Sequence, residues 1–462
     1  MNLLDLLYLP AAALTAPWWA RKARGGWRER FGHTPAIPRP HHPRAPAPPR
    51  LLIHAVSVGE VNTLRALVPM LRDAGIEVIV ASTTDTGLAR ARALFAETPL
   101  AEALPGKPGV TVVRYALDLS SSVSRFLDAI RPDAAALIEL EIWPNFVREC
   151  ARRNIPVAVI NGRLSERSFK GYQRFRRFLA PSFARLAFAA VQDSAYAERF
   201  RTMGAADVRI TGSMKWDAVL PLAPGEVLPG ADQLAADLGI DRSRPLIVAG
   251  STGPGPTPQA PSEEALLHAA CPPGTQLLCA PRKPERFDET VASLGGEARC
   301  VRRSASRQQR SAAPDRFLLD SIGELRLAYS LADIAVVGRT FTNLRGSDPI
   351  EPIALGIATV TGPDFANFAA IAAVFLEANA IVPATADSLP QTLAALLADP
   401  VRRAQLAVAG RRCIAEQQGA TATHATMLRH LLRTAPPTSA PSHRSDASAP
   451  TSRAPAHHRS ET

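Results

Sequence analysis

From Leu51 onward, short apolar runs alternate with stretches in which apolar and polar positions recur at helical spacing. The runs LLIHAV, EVIVAST, VTVVRYAL, AAALIEL, PVAVING and AFAAVQ are each followed by an amphipathic or capped segment. That rhythm predicts a parallel sheet with helices on both faces. A second series, PLIVAGST, TQLLCAPRK, RFLLDS, IAVVGR, ATVTGP and AIVPA, begins beyond the proline-rich 220–230 region. The pattern therefore predicts an α/β protein of two doubly wound, Rossmann-like domains, 51–220 and 221–433, facing a central cleft. Such sheets bind ligands at the C-terminal ends of their strands.

The flanks follow different rules. TPAIPRPHHPRAPAPPR, residues 34–50, is too rich in proline for helix or central strand and reads as an extended linker. Residues 434–462, made of Ser, Pro, Ala, His and Arg without periodicity, read as a disordered tail. The first twenty residues, MNLLDLLYLPAAALTAPWWA, would rise about 30 Å as a helix, the thickness of a bilayer core. Asp5, Pro10 and Pro17 interrupt them, and Trp18, Trp19 and Trp27 lie among Arg21, Lys22, Arg24, Arg28 and Arg30 as in an interfacial belt. The expectation is a membrane-anchor helix with a basic flank over 1–33, single-pass or monotopic; the alternative is an apolar helix docked on the domain. A cleaved signal peptide fits less well, because the charges follow the apolar run.

Composition narrows the partners. The chain has 462 residues, 46% of them hydrophobic, and a net charge of +11, which asks for an anionic partner. No zinc-finger spacing and no RNP-like stretch supports nucleic acid. Five cysteines without C-x-x-C pairs give no disulfide framework and suit a reducing, cytosol-facing location. G-x-G-x-x-G after the first strand, G-x-x-x-x-G-K-[ST], G-x-S-x-G and H-E-x-x-H are all missing, which removes the main support for dinucleotide oxidoreductases, P-loop NTPases, serine hydrolases and zincins.

Candidate chemistry collects at predicted strand ends. In HAVSVGEV, 54–61, Ser57-Val58-Gly59-Glu60 fits a capping box, and the same position lets Glu60 act as a base in the cleft. ALIELEIWPNF, 136–146, ends a strand in Glu139 and Glu141, which share a face if the strand period continues. That E-x-E suits either a polar cleft wall or a divalent-cation site. NGRLSERSFKGYQRFRRF, 161–178, is strongly basic and fits lipid phosphates or a solvated face. TGSMKWD supplies Lys215, and APRKPERF supplies Arg282 and Lys283, cations suited to phosphate or carboxylate. DSIGEL places Gly323 and Glu324 at a helix start, and GSDPIEP opens another helix with Glu351 near it, positioned for a ribose hydroxyl.

In order and spacing, HAVSVGEV, ELEIWPN, NGRLSERS, TGSMKWD, APRKPERF, DSIGEL and GSDPIEP resemble the motif series of the 3-deoxy-D-manno-octulosonic acid (Kdo) transferases. The resemblance extends from the apolar N-terminus to about residue 430. It implies a GT-B glycosyltransferase of the cytoplasmic face of the inner membrane, N-terminally anchored there by membrane lipids. Its N-terminal domain would bind a lipid A precursor (lipid IVA) and its C-terminal domain CMP-Kdo, for lipopolysaccharide core biosynthesis. By the same resemblance Glu60 matches the family's proton acceptor, and Glu139 and Lys215 match residues that stabilise the transition state. Pro281-Arg282, Ile322-Gly323-Glu324 and Asp348-Pro349-Ile350-Glu351 fall where the family contacts CMP. The implied transfer is inverting and needs no metal or other cofactor.

Departures from the family pattern concern the donor side. Gly253 stands where His is usual, followed by the insertion PGPTPQAPSEE; Lys283 replaces another His; and GRTFTNLRGSDP, with Arg339, Arg345, Ser347 and Asp348, replaces a glycine-rich loop. These changes leave two alternatives: a GT-B transferase using another nucleotide sugar on a lipid acceptor, and a non-catalytic membrane-bound relative.

Overall fold

The computed structural model describes residues 5, 25–39, 47–95, 109–219, 222, 226, 228–305 and 314–435. The N-terminal domain runs β1 Arg50–His54, α1 Val58–Asp73, β2 Glu77–Ser82, α2 Asp85–Phe95, β3 Val110–Arg114, α3 Ser120–Ile130 and β4 Ala134–Ile138. It continues α4 Pro144–Arg152, β5 Val157–Gly162, α5 Glu166–Arg174, α6 Arg176–Ala184, β6 Leu186–Val191, α7 Ser194–Met203 and β7 Val208–Ile210. The second domain comprises α8 Ala231–Leu238, β8 Leu246–Thr252, α9 Glu263–Ala270, β9 Gln276–Pro281, α10 Phe287–Ser293, β10 Cys300–Arg302, β11 Arg316–Leu318, α11 Leu325–Ser330 and β12 Ile334–Val337. It closes with α12 Ile350–Ala354, β13 Ala358–Thr361, α13 Ala369–Glu377, β14 Ile381–Pro383, α14 Leu389–Ala398, α15 Pro400–Gln417 and α16 Ala420–Thr434.

Each domain carries one seven-stranded sheet, ordered β3-β2-β1-β4-β5-β6-β7 and β10-β11-β9-β8-β12-β13-β14, with every pairing parallel. Parallel sheets need helices on both faces, and the side chains of β1 divide accordingly: Leu52 joins one core cluster and Leu51 and Ile53 the other. Chain order reverses between β1 and β4 in the first sheet and between β8 and β12 in the second. Those reversals open a crevice beyond the strand ends, so loops after these four strands are where ligands are expected.

The flanks differ from the linear reading in two respects. Arg50, taken as the end of the linker, opens β1, and the described part of the linker is docked: Ile37 N–H donates to Ala129 O (3.0 Å), and Arg39 pairs with Asp133 (2.8 Å). Helix α16, counted with the second domain, packs its Ala425, Leu428 and Leu431 into the first domain's core beside Leu51 and Val61. Its N-terminus is held there by Asp217, whose carboxylate accepts from Gly419 and Thr421 N–H (2.7 Å each). The expected anchor and tail lie largely outside the described residues, and among the described residues no helix is long and apolar enough to cross a membrane. Asp5 is described: its buried carboxylate accepts from Ser120 N–H (2.9 Å) and Asn145 Nδ2 (3.1 Å).

One polar group fixes the start of the first sheet. The fully buried Arg50 guanidinium grips Glu77 through both carboxylate oxygens (2.9 Å each) and donates to the carbonyls of Ile37 (3.1 Å), Pro38 (2.8 Å) and Ile130. Breaking a buried pair from one side leaves the other charge uncompensated and costs about 3–5 kcal/mol. Arg50→Met is therefore expected to lower the unfolding free energy by about that amount in chemical denaturation; a loss under about 1 kcal/mol would contradict this role.

Candidate active site

Glu60 sits in the first turn of α1, and its two roles are physically compatible. Ser57 is the N-cap: its Oγ accepts from Glu60 N–H (3.3 Å) while its hydroxyl donates to Glu60 Oε1 (2.8 Å). Oε2 reaches one residue further back than a standard box and accepts from Val56 N–H (2.8 Å). Burial raises the Glu60 carboxyl above its ordinary value, the bonds from Val56 and Ser57 pull it down, and Glu139 pushes it up again. Beneath it, His54 stacks on Tyr115 with ring centroids 3.5 Å apart and bonds Thr83 Oγ1 (3.0 Å). Burial lowers His54 to about 3, so this imidazole is a neutral support.

Beyond β4, the sequence expectation for Glu139 and Glu141 is corrected in detail. The strand ends at Ile138, and Glu139 adopts a left-handed conformation (φ 58°), so the strand period does not relate the two carboxylates. They lie in the turn before α4, which Pro144 opens. Both nevertheless act electrostatically on Glu60, so the loops after β1 and β4 bring three carboxylates together at the point where strand order reverses. Glu139 faces Arg163 at 4.0 Å, while Trp143 Nε1 donates to Glu141 Oε2 (2.8 Å). Burial, then Glu60, push Glu141 up to about 7, with Glu139 adding and Trp143 opposing.

Lys215 belongs to a second group. Asn161, buried and left-handed near the end of β5, accepts from Met214 N–H through Oδ1 (3.0 Å) and so holds the TGSMKWD turn against the first domain. The next residues face the second domain: Trp216 packs on Phe375 (5.1 Å), Lys215 Nζ lies 5.1 Å from the Phe368 ring centre, and Lys215 acts on Asp348. Asp348 accepts from Ile350 N–H (3.0 Å) at the start of α12, with Pro349 as its N-cap. Burial raises Glu351, which also feels Arg326 and, from α1 across the cleft, Arg65.

The remaining candidates sit on neighbouring loops. Arg282 donates its N–H to Thr252 O (3.0 Å) after β9, which Pro281 ends, and its side chain and that of Lys283 are exposed. Gly323 needs its φ of 97°, Ile322 is 91% exposed, and the Glu324 carboxylate is held by Arg303 (3.1 Å) and Ser321. Arg303 holds the Glu324 carboxyl below its usual range, so it is already engaged by protein.

The structure adds a residue that the linear reading passed over. Glu263, 1% exposed at the start of α9, accepts from the N–H groups of Gly253 (2.9 Å), Arg339 (2.6 Å) and Phe341 (3.0 Å). These belong to the loops after β8 and β12, the pair flanking the second sheet's reversal. Beside it Glu264 is gripped by Arg286 (2.8 and 3.0 Å) and Thr252 (2.6 Å). The only sequence sign was an acidic pair following Ser262, the N-cap of α9. The Gly253 departure has a steric counterpart: a Cβ at 253 would come within 2.2 Å of Leu344 Cδ1, from the altered loop.

The raised Glu141 predicts a pH signature. A carboxyl at about 7 in the fold and near 4.5 when unfolded binds its proton more tightly in the folded state. Its contribution to stability is thus present below about 4.5 and lost as pH rises through about 7. In denaturant melts at pH 5 and pH 8, Glu141→Gln should reduce the fall in stability seen for the parent chain; an unchanged fall would refute the assignment.

Comparison with known proteins gives the family and the fold. A family model described as 3-deoxy-D-manno-octulosonic-acid transferase (kdotransferase) covers residues 25–218. A 3-deoxy-D-manno-octulosonic acid transferase of Haemophilus influenzae is 32% identical over 81% of this chain and 85% of its own. One from Bordetella pertussis is 32% identical over 87% and 92%. In fold alone, the chain is similar to UDP-GlcNAc 2-epimerase from Neisseria meningitidis (TM-score 0.54, 11% identity, 83% of this chain and 99% of that one). It is likewise similar to a sucrose-phosphate synthase from Thermosynechococcus elongatus (TM-score 0.52, 14% identity, 83% and 99%), which fits the two-domain GT-B architecture. With identities of this level across most of its length, the chain belongs to the 3-deoxy-D-manno-octulosonic acid transferase family.

Proposed function

We propose that this glycosyltransferase moves Kdo from CMP-Kdo to a sugar hydroxyl of a lipid A precursor, lipid IVA, in lipopolysaccharide biosynthesis, with inversion and without a metal. The observation that carries the reading is Glu60, a carboxylate held by Val56 N–H and Ser57 at the first sheet's strand-order reversal and made more basic by burial. Glu60 takes the proton of the attacking hydroxyl as that oxygen bonds to the anomeric carbon. The bond from that carbon to the phosphate oxygen breaks, and its electron pair leaves with CMP. Lys215 and Arg282 supply the positive charge that the sugar carboxylate and departing phosphate require. Glu139, restrained by Arg163, stabilises the transition state, and the loops at 281–282, 322–324 and 348–351 hold CMP.

The enzyme would work at the cytoplasmic face of the inner membrane, held by the apolar residues 1–20 and the basic flank that follows them. The altered loop at 339–348 favours one competing reading, a different nucleotide sugar as donor, which turnover of CMP-Kdo against UDP-sugars separates.

Positioned base catalysis supplies about 10²–10⁴-fold, and glutamine is accepted at this capping position. Glu60→Gln should therefore lower the transfer of radiolabelled Kdo to tetraacylated acceptor by about that factor without a change in melting behaviour. Full activity in this variant would remove Glu60 from the role of base.

A further inference from the structure

Beside the three carboxylates lies an open groove of about 490 Å³, walled by Leu140, Trp143, Tyr172, Phe175 and Leu179. That volume is within the range of small-molecule sites. One end reaches the chemistry directly, because Glu141 lines the groove and interacts with both Glu60 and Tyr172. Burial and the proximity of Glu141 push the Tyr172 phenol up to about 12.

Helix α5 gives the groove two adjoining stripes. Ser168, Gly171, Tyr172 and the C-cap Phe175, at spacings of three, one and three, line it. Arg167, Lys170 and Arg174, one position earlier at spacings of three and four, form a neighbouring cationic stripe. Lys170 is paired with Glu166 (2.7 Å), whereas Arg174 and the following Arg177 are exposed and make no ion pair among the described residues. Phe175 is 61% exposed and Phe178 49%, so bulky aromatic surface faces solvent between these arginines.

A ligand complementary to this surface must be apolar along part of its length, carry anionic groups at the arginine rim and present a hydroxyl towards Glu60. A free sugar phosphate leaves its aromatic wall uncovered. We infer that the groove bounded by Leu140, Trp143, Tyr172 and Phe175 holds an acyl chain of an acylated sugar phosphate acceptor, with Arg174 and Arg177 facing its phosphate. This rests on the acceptor reading given above and adds the place where the acyl chain is selected.

Gly171 provides the test. A side chain built there meets no atom within 4 Å, and Ala or Leu in a helix interior has better helix propensity than Gly, so larger residues enter the groove without disturbing the fold. Gly171→Leu and the control Gly171→Ala are compared with the parent enzyme in detergent micelles, on tetraacylated acceptor and on the same disaccharide phosphate stripped of its acyl chains. Loss of one favourable apolar subsite is worth about tenfold or more in discrimination. Gly171→Leu should lower kcat/KM on the acylated acceptor by about tenfold through KM, leaving the deacylated acceptor and CMP-Kdo unaffected. Gly171→Ala should resemble the parent on both acceptors.

An unchanged kcat/KM on the acylated acceptor overturns the inference, as does an equal loss on both acceptors. A matching loss of binding to phosphatidylglycerol vesicles overturns it in favour of a bilayer-docking surface. Failure of the parent enzyme to transfer Kdo to either acceptor would overturn the acceptor reading itself, and the groove assignment with it.

Discussion

Everything distinctive about this protein follows from burying both faces of two all-parallel sheets. With the faces closed by helices, polar side chains have few places to converge except the loops beyond the C-terminal strand ends. The four loops that flank the two strand-order reversals carry most of the chemistry: those after β1 and β4 bring in Glu60, Glu139 and Glu141, and those after β8 and β12 are bound to Glu263. Like charges gathered in a half-buried site repel. The first domain offsets this with the helix N-terminus under Glu60, Arg163 beside Glu139 and a Glu141 carboxyl raised to about 7 and so only partly ionised near neutral pH. Raised basicity at Glu60 comes first from its burial, with Glu139 adding to it.

The two halves are tied together by the segment that also carries Lys215. Asn161 fixes Met214 to the first domain, Trp216 is packed in the second, and Asp217 caps α16, which returns to the first. Four consecutive residues thus belong alternately to both bodies. Lys215, between the two attachments, is set by the fold at the boundary, across which the charge of Arg65 also acts on Glu351.

Much of this was legible in the sequence, because long apolar runs and strand-end motifs are local signals. The six strands foreseen in each domain are present, and each sheet gained one more: β7, Val208–Ile210, and β10, Cys300–Arg302. Three residues at a sheet edge are too few to display a period. The left-handed turn at Glu139 escaped notice because it needs a backbone conformation that a non-glycine residue adopts only when its surroundings impose it. The attachment of α16 and the bonds made by Glu263 are contacts between distant segments, and a helix start with two glutamates looks the same whether its carboxylates face water or three buried N–H groups. Resemblance to a motif series located Glu60 among many possible capping boxes; its own eight residues did not.

The donor-side departures form a connected set. Gly253 leaves room that Leu344 fills, and Arg339, from the same altered loop, is fixed by Glu263 through its N–H and by Leu344 O through its guanidinium (2.7 Å). Any side chain at 253 would meet Leu344, so the two positions are coupled. At 283 the substitution places an exposed lysine beside the exposed Arg282 after β9. The loops after β8 and β12 stay joined through Glu263, with Leu344 packed into the space that Gly253 leaves open.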